Sequence, residues 1–116
     1  MQVAQQMSTE MQECMEECQF CHSTCTETIS YCLNKGGMHA EASHIRLLMD
    51  CAQICQVAGD YMLRGSDLHG ITCRACAEVC ERGARDCERF GDEEQMKLCA
   101  QACRDCADSC RKMAAA

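Results

Sequence analysis

Proline is absent from this chain of 116 residues, and long apolar runs are absent as well. Because the chain has no proline to interrupt a helix, we expect glycine residues to mark the helix ends. No apolar run approaches the length of about 18 residues that spans a membrane, so we expect no membrane partner. Met1 to Glu10 also lacks the charged start and apolar segment of a secretory signal, so we expect a cytoplasmic protein.

Basic residues are scarce, with 11 Lys and Arg against 18 Asp and Glu and a net charge of −7. Binding to the phosphates of a nucleic acid needs a concentration of Lys and Arg that this sequence does not have. We therefore expect no nucleic-acid partner. The negative charge suits a protein that binds cations.

Large apolar residues are few, since Leu, Ile, Val and Phe together number only 15. This share is below the level of about 20% at which a charged sequence is usually disordered, so another residue type must fill the interior. Cysteine also occurs 15 times and behaves as a small buried hydrophobe, and nine methionines add further sulfur. In a reducing cytoplasm, so many cysteines indicate metal binding rather than a disulfide framework.

Glycine residues divide the chain into four stretches of helical length, with breaks at Gly36 and Gly37, at Gly65 and at Gly91. The predicted helices run from Ser8 to Asn34, from His39 to Leu63, from Ser66 to Phe90 and from Glu93 to Met113. Short connections join antiparallel neighbours. We therefore expect an all-α, up-down-up-down four-helix bundle that forms a single domain over residues 1–116.

Polar residues near two of the breaks resemble helix caps. Asp92 and Gln95 have the spacing of a capping box at the start of the fourth helix, and Ser66 with Asp67 lies where it would cap the third. Gly59 and Gly83 fall inside helices, where each costs about 1 kcal/mol relative to alanine. We expect these two glycines to mark close packing between helices.

The spacing of the cysteines follows the period of a helix. The motif C-x3-C-x2-C-x3-C occurs from Cys14 to Cys25 and again from Cys99 to Cys110, and every gap within a predicted helix is 3, 4 or 7 residues. At about 100° of rotation per residue, the cysteines of the first helix fall within an arc of about 60°. The cysteines therefore line the core of the bundle. They are Cys14, Cys18, Cys21, Cys25, Cys32, Cys51, Cys55, Cys73, Cys76, Cys80, Cys87, Cys99, Cys103, Cys106 and Cys110.

On each helix the cysteines form one stripe along the buried face. Other soft or borderline ligands continue these stripes. His69 occupies the first cysteine place of the motif in the third helix, and His44 begins the corresponding stripe of the second. Methionines extend the stripes outward, at Met7, Met11, Met62, Met96 and Met113. His22 and His39 do not substitute in the repeat, so we expect both to be solvated.

Metal coordination fits this spacing better than disulfides do. Cβ atoms one helical turn apart are separated by about 5–6 Å, whereas a disulfide requires about 3.5–4.5 Å. Two metal–sulfur bonds of about 2.3 Å can clamp an ion between thiolates on successive turns. Thiolate and thioether ligands select copper(I), so we expect copper(I), with many ions per chain.

Other interpretations remain open at this point. A sulfur-rich core without ligands is disfavoured because cysteine rarely displaces branched aliphatic residues in cores. Zinc prefers closed sets of four ligands. An iron–sulfur protein is weakened by the absence of a C-x2-C-x2-C run, and a thiol redox protein by Cys73-x2-Cys76 lying in the middle of a helix. No nucleophile with a base and an orienting residue is evident, so we expect no enzyme.

Electrostatics predicts how such a core takes up metal. Fifteen buried thiolates cannot coexist without compensation, so the thiols are mostly neutral before loading. Each incoming cation replaces a proton, and about one cation per thiolate leaves the loaded core close to neutral. We therefore expect the affinity for copper(I) to weaken as the pH falls.

One end of the bundle is predicted to be the copper entrance. In an antiparallel bundle, Met7, Met11, Met62, His69 and Met113 all come to the end that carries both chain termini. Only one connection closes this end, whereas two close the other. The candidate metal ligands besides the cysteines are His44, His69, Met7, Met11, Met62 and Met113.

The whole pattern resembles that of the bacterial copper storage proteins, which are four-helix bundles with cysteines that project into the core. The resemblance extends from the motif that begins at Cys14 to the motif that ends at Cys110. It implies a cytosolic store of copper(I), a rim of histidine and methionine at the opening, and often a homotetramer of bundles. The second helix carries only Cys51 and Cys55, so we expect a lower capacity than in the most cysteine-rich relatives.

Overall fold

The four stretches that glycine separates in the sequence each form one α-helix. A computed structural model describes residues 7–115 of the chain. The helices are α1 (Thr9–Lys35), α2 (Ala42–Leu63), α3 (His69–Glu88) and α4 (Glu94–Ala115), with a short 3-10 helix at Gly37–Ala40. Residues 7–115 contain no strand, so the predicted all-α class is confirmed.

Pairs of cysteines define how the helices run. Between α1 and α4 the Sγ atoms of Cys14 and Cys110 are 3.6 Å apart, and those of Cys25 and Cys99 are 3.8 Å apart. The residue number rises on one helix as it falls on the other, so α1 and α4 are antiparallel. Each helix packs against its two neighbours in the order α1, α2, α3, α4 and back to α1. The predicted up-down-up-down bundle is therefore confirmed.

The glycines predicted as breaks lie in the three connections. Gly36, Gly37, Gly65 and Gly91 all have positive φ angles, between 56° and 73°, which other residues rarely adopt. At the end of α1, the N–H of Gly36 donates to the carbonyl of Cys32 at 3.1 Å. The chain can therefore turn sharply without leaving the last carbonyls of the helix unpaired.

Four of the predicted helix limits are wrong by more than one residue. The second helix begins at Ala42 instead of His39, because the 3-10 helix occupies the residues before it. The third begins at His69 and ends at Glu88, and the N–H of Phe90 donates to the carbonyl of Cys87 in a tightened last turn. The fourth ends at Ala115, two residues beyond Met113.

The predicted caps also differ from the structure. The side chain of Gln95 does not reach back to Asp92; it donates to the Oγ1 atom of Thr28 on α1, at 3.0 Å. The Ser66 hydroxyl accepts from the N–H of Leu68 at 3.1 Å, which lies before the first residue of α3. The Gln95 side chain therefore joins α4 to α1, and the Ser66 side chain stabilises the connection between α2 and α3.

Sulfur fills most of the interior. All fifteen cysteines are buried, and the remaining apolar core consists mainly of alanines with Leu48, Met62, Phe90, Met96 and Met113. Gly83 on α3 lies against α2, because a Cβ atom added there would be 2.4 Å from the Sγ atom of Cys51. Gly59 on α2 is less tightly packed, with 3.8 Å from an added Cβ to the Cβ atom of Cys18.

Candidate metal centre

The cysteine side chains meet along the axis of the bundle. All fifteen lie among the described residues, and each carries a free thiol. This outcome confirms the prediction that the cysteines line the core. We use the name thiol column for all of the cysteines except Cys32, which lies beyond the others on α1.

Within the thiol column, four groups of three or four sulfur atoms lie within 4.8 Å of one another. They are Cys14, Cys73 and Cys110; Cys18, Cys76, Cys106 and Cys110; Cys21, Cys55, Cys80 and Cys106; and Cys21, Cys25 and Cys103. Cys21, Cys106 and Cys110 each belong to two groups, so the groups share sulfur atoms. Shared thiolates suit a chain of bridged ions better than separate closed sites.

Contacts between helices are as short as contacts along one helix. The Sγ atom of Cys106 lies 3.6 Å from that of Cys18, 3.7 Å from that of Cys55 and 3.7 Å from that of Cys76, which come from three other helices. Two metal–sulfur bonds of about 2.3 Å can span these separations. The sulfur atoms can therefore bind ions between helices without a large rearrangement.

Hydrogen bonds between neighbouring thiols shift their pKa values, downward for some and upward for others. Hydrogen bonds from Cys106, Cys110 and Cys14 lower the pKa of Cys18 to about 6, because they stabilise its thiolate. The pKa of Cys110 is raised by its hydrogen bonds, above all with Cys106, and by burial. Some thiols of the column therefore lose their protons more readily than others, which suits stepwise exchange of protons for cations.

Cys51 packs closely against α3. Its Sγ atom lies 3.5 Å from the carbonyl oxygen of Val79, on the side where Gly83 leaves room. Hydrogen bonds with Cys103, Cys25 and Cys80 lower the pKa of Cys51. Cys51 therefore reaches the column from α2 although it belongs to none of the four groups.

The end of the bundle that carries the connections 36–41 and 89–93 is called here the loop end. Cys32 lies there, with its Sγ atom 3.3 Å from Nε2 of His44 and 3.7 Å from Sδ of Met96. Nδ1 of His44 is 2.5 Å from Oδ2 of Asp86. Burial raises the pKa of Cys32 to about 11, with nearby negative charge from Cys99 and Glu93 adding to it. His44, which the sequence proposed as a ligand, thus lies beside a thiol.

The opposite end, which carries Met7 and the connection between α2 and α3, is called here the terminal end. A cavity of about 550 Å³ opens there, and Met7, Met11, Met62 and His69 are among its lining residues. The Sδ atom of Met62 is 3.8 Å from the Sγ atom of Cys73, so Met62 lies between the cavity and the thiol column. Met113 does not line the cavity; it is buried in the core one turn beyond Cys110.

His22 and His39 are not simply solvated, contrary to the sequence expectation. Nδ1 of His22 is 2.7 Å from the carbonyl oxygen of Ala52, which joins α1 to α2. Nε2 of His39 lies 2.9 Å from both carboxylate oxygens of Glu93, and the Tyr31 hydroxyl donates to the same carboxylate. Both histidines therefore connect segments of the fold.

Two residues that contact Cys32 or His44 at the loop end, Met96 and Asp86, are not among the candidate ligands named from the sequence. Met96 extends the stripe of the fourth helix three residues before Cys99, so its periodicity could have included it. Asp86 offered no such sign, because it precedes Cys87 by one residue and lies at the edge of the stripe. Its contact with His44 joins α3 to α2, and only the packing of the helices reveals it.

The fold and the sulfur chemistry together define a class: a four-helix bundle with a thiol-lined core that binds soft metal ions. The sequence profile of the copper storage protein family matches residues 7–115. This chain belongs to the copper storage protein family. The resemblance noted in the sequence is thereby confirmed.

Solved structures of relatives share both the fold and much of the sequence. A protein from Nitrosospira multiformis is 44% identical, with 91% of this chain and 95% of that chain covered and a TM-score of 0.86. The Cu(I)-bound copper storage protein 3 of Bacillus subtilis is 33% identical, with 91% and 99% covered and a TM-score of 0.84. A cytosolic copper storage protein from Streptomyces lividans with five coppers is 30% identical, with 92% and 93% covered and a TM-score of 0.79.

Proposed function

We propose that this chain stores copper(I), many ions per chain, on the cysteine thiolates inside the bundle, without catalytic turnover. The observation that carries the proposal is the continuity of the column, in which groups of three or four sulfur atoms share Cys21, Cys106 and Cys110. A chaperone or sensor needs one or two ions, whereas shared thiolates can hold a chain of them. Copper(I) is the soft monovalent ion that thiolates select.

An anaerobic titration tests this function directly. Reduced full-length protein is titrated with copper(I) in the presence of a competing chelator, and bound copper is counted per chain. Saturation near one ion per thiol is the expected result. Saturation at one or two ions would instead indicate a chaperone or sensor and would overturn the storage proposal. The same titration with zinc(II) is expected to saturate at far fewer ions, because zinc uses closed sets of four ligands.

Loading is an exchange of cations for protons. Each copper(I) ion displaces the proton of one thiol, so the buried core gains no net charge as it fills. The affinity is therefore expected to fall about tenfold per pH unit for each proton released per ion, wherever the thiols are protonated. Chelator competition at pH 8, 7, 6 and 5 measures this slope. An affinity that stays constant from pH 8 to pH 5 contradicts the exchange.

Copper enters at the terminal end in this proposal. Met7, Met11 and His69 line the cavity there, and Met62 both lines it and contacts Cys73 at the first level of the column. Thioether and imidazole ligands can hold copper(I) briefly and pass it inward to thiolates, which bind it more strongly. Met113, buried beyond Cys110, offers a further thioether at the same level.

The proposal also covers compartment and assembly. The relative from Streptomyces lividans is cytosolic, which supports a cytosolic location for this chain. Within residues 7–115, no helix has the length and apolar character that crossing a membrane requires. A homotetramer is supported by large apolar side chains that are more than half exposed, such as Phe20 and Ile71. Sedimentation of the full chain, with and without copper, tests the assembly.

A further inference from the structure

A cleft opens on the side of the bundle, between residues 19–23 of α1 and residues 55–60 of α2, and is called here the side cleft. We propose that the side cleft is a release site, in which a small amino-acid thiol binds and takes copper(I) from the middle of the thiol column by way of His22. This inference rests on the proposed storage of copper(I). It goes further by assigning a class of ligand, a transfer residue and a second route to the core.

The side cleft reaches the column at one of its interior levels. Its volume is about 230 Å³, and Cys55 is among its lining residues. Cys55 belongs to the sulfur group with Cys21, Cys80 and Cys106, and two other groups lie between this group and the terminal end. An ion at Cys55 that leaves by the terminal end must therefore pass both of those groups. Since Cys55 has no exposed area, a ligand in the side cleft needs an intermediate group to draw the ion outward.

Gly59 keeps the side cleft open because it has no side chain. A glycine inside a helix costs about 1 kcal/mol relative to alanine. Close packing does not require this glycine, because an added Cβ atom would meet only the Cβ atom of Cys18 within 4 Å, at 3.8 Å. Gly59 lines the side cleft. The space that a side chain would occupy is therefore left to the cleft.

His22 offers a free nitrogen atom in the side cleft. A carbonyl oxygen only accepts hydrogen bonds, so Nδ1 of His22 carries the proton that it donates to the carbonyl of Ala52 at 2.7 Å. In the neutral ring, Nε2 then retains its lone pair. Nε2 has no hydrogen-bond partner within residues 7–115, and no buried side-chain nitrogen or oxygen in that range lacks a partner, so Nε2 is accessible. Because imidazole is a copper ligand, His22 can hold an ion between Cys55 and a bound thiol.

The remaining lining residues indicate which thiols the side cleft accepts. Of the lining residues that the structure describes, only Asp60 is charged, and its carboxylate attracts an ammonium group as well as the copper ion. The side-chain amides of Gln19 and Gln56 also line the cleft and can donate to a carboxylate. The small volume suits a molecule of amino-acid size. An amino-acid thiol carries all three groups, and its sulfur is a ligand that copper(I) selects.

Release at this site is an exchange of ligands without a change of oxidation state. The incoming thiol loses its proton and forms a copper–sulfur bond, while Nε2 of His22 holds the ion. The bond between copper and Cys55 breaks, and the Cys55 thiolate takes up the proton that the incoming thiol has lost. Copper leaves as copper(I) on the small thiol, so the charge of the buried core does not change.

The experiment measures copper release from the full-length protein. The protein is loaded anaerobically with copper(I), and the copper content per chain is counted first. Release is followed by the visible absorption of bathocuproine disulfonate, a bulky anionic copper(I) chelator, with and without L-cysteine. We expect L-cysteine to accelerate release about tenfold, since a thiol bound beside the column gains at least this much from proximity. 3-Mercaptopropionate has the thiol and the carboxylate but no ammonium group, so it is expected to accelerate release less.

Two variants each remove one part of the site. His22→Gln keeps a donor for the Ala52 carbonyl but loses the imidazole, and Gly59→Leu fills the side cleft with a side chain. Both are expected to lose most of the acceleration by L-cysteine, whereas the copper content and the release without thiol stay unchanged. The matched controls are His39→Gln at the loop end and Gly70→Leu, where an added Cβ atom would likewise meet one atom at 3.8 Å. Both controls are expected to keep the acceleration.

Three results would overturn the inference: no acceleration by L-cysteine in the unmodified protein, equal acceleration in His22→Gln and Gly59→Leu, or an equal loss in the control variants. If Gly59→Leu loads less copper than the unmodified protein, Gly59→Ala takes its place, because one methyl group has room there. Gly59→Ala is expected to lose part of the acceleration. None of these results touches the storage proposal, which fails only if the protein loads just one or two ions per chain.

Discussion

The two ends of the bundle carry the same kinds of residue and organise them in opposite ways. At the terminal end, methionines and His69 line a cavity of about 550 Å³ that is open to solvent. At the loop end, Met96 and His44 are buried, and Asp86 fixes the imidazole beside Cys32. Histidine and methionine therefore line an open cavity at one end and are buried at the other, and the packing of the helices decides which.

The difference has a physical basis in the connections. Among residues 7–115, one connection, the segment 64–68, crosses the terminal end, and four of its residues line the cavity. Two connections cover the loop end, and they bring Phe90 and Glu93 over His39 and His44. A ligand without a fixed partner can exchange ions rapidly, whereas a ligand held by a carboxylate and an aromatic ring keeps its geometry.

The largest effect is expected from removing one thiol at each end. Cys110 belongs to two sulfur groups near the terminal end, and its Sγ atom lies 3.6 Å from those of Cys14 and Cys18. Cys110→Ala is therefore expected to lower the capacity by more than one ion per chain, whereas Cys32→Ala is expected to remove only one. Chelator-competition titration counts the ions. Equal losses in the two variants would show that the ends are not organised differently.

A second prediction concerns the carboxylate at the loop end. Asp86→Asn is expected to weaken copper(I) binding at His44 by about 10- to 100-fold, because loss of an outer-shell carboxylate typically has this effect. The protein is labelled with ¹⁵N-histidine and titrated anaerobically with copper(I). The measured quantity is the free copper(I) concentration at which the ¹⁵N resonance of His44 Nε2 moves. Asp67→Asn removes a carboxylate from the wall of the terminal cavity and serves as the control. If both variants shift the midpoint alike, the effect is one of net charge and not of position.

The tightly packed region between the two ends offers a third test. A Cβ atom at Gly83 would meet the Sγ atom of Cys51 at 2.4 Å, whereas one at Gly59 would make an ordinary contact of 3.8 Å with Cys18. Both changes to alanine gain the same helix propensity. Gly83→Ala is therefore expected to be less stable than Gly59→Ala by about 1–3 kcal/mol, the usual cost of overpacking. Urea unfolding of the reduced, copper-free protein measures the difference, and equal stabilities contradict the close packing at Gly83.

The smallest effect is expected on the rate of uptake. Met11→Leu removes a thioether from the terminal cavity, and Met38→Leu removes an exposed thioether near the loop end. If copper enters at the terminal end, only Met11→Leu slows the first phase of loading, by a few-fold, and neither variant changes the final capacity. Stopped-flow absorption of the copper–thiolate bands follows the reaction. A slower first phase in Met38→Leu alone would place the entrance at the loop end.

Much of the fold could be predicted because its determinants are local. Gly36, Gly65 and Gly91 mark the connections, and cysteine spacings of 3, 4 and 7 residues predict one buried stripe per helix. Helix limits were less predictable. The 3-10 helix before Ala42 and the pairing of Gln95 with Thr28 depend on contacts between segments that local spacing does not contain.

The sequence by itself determined that this chain is a four-helix bundle with its cysteines inside, because helix periodicity places residues 3, 4 and 7 apart on one face. It also indicated a soft metal ion, since sulfur ligands dominate that face. Only the tertiary structure decided which sulfur atoms share a group, that Met113 is buried instead of lining the cavity, and that Asp86 holds His44 beside Cys32. These relations join different helices, so they depend on how the helices align and on which rotamers the packing permits.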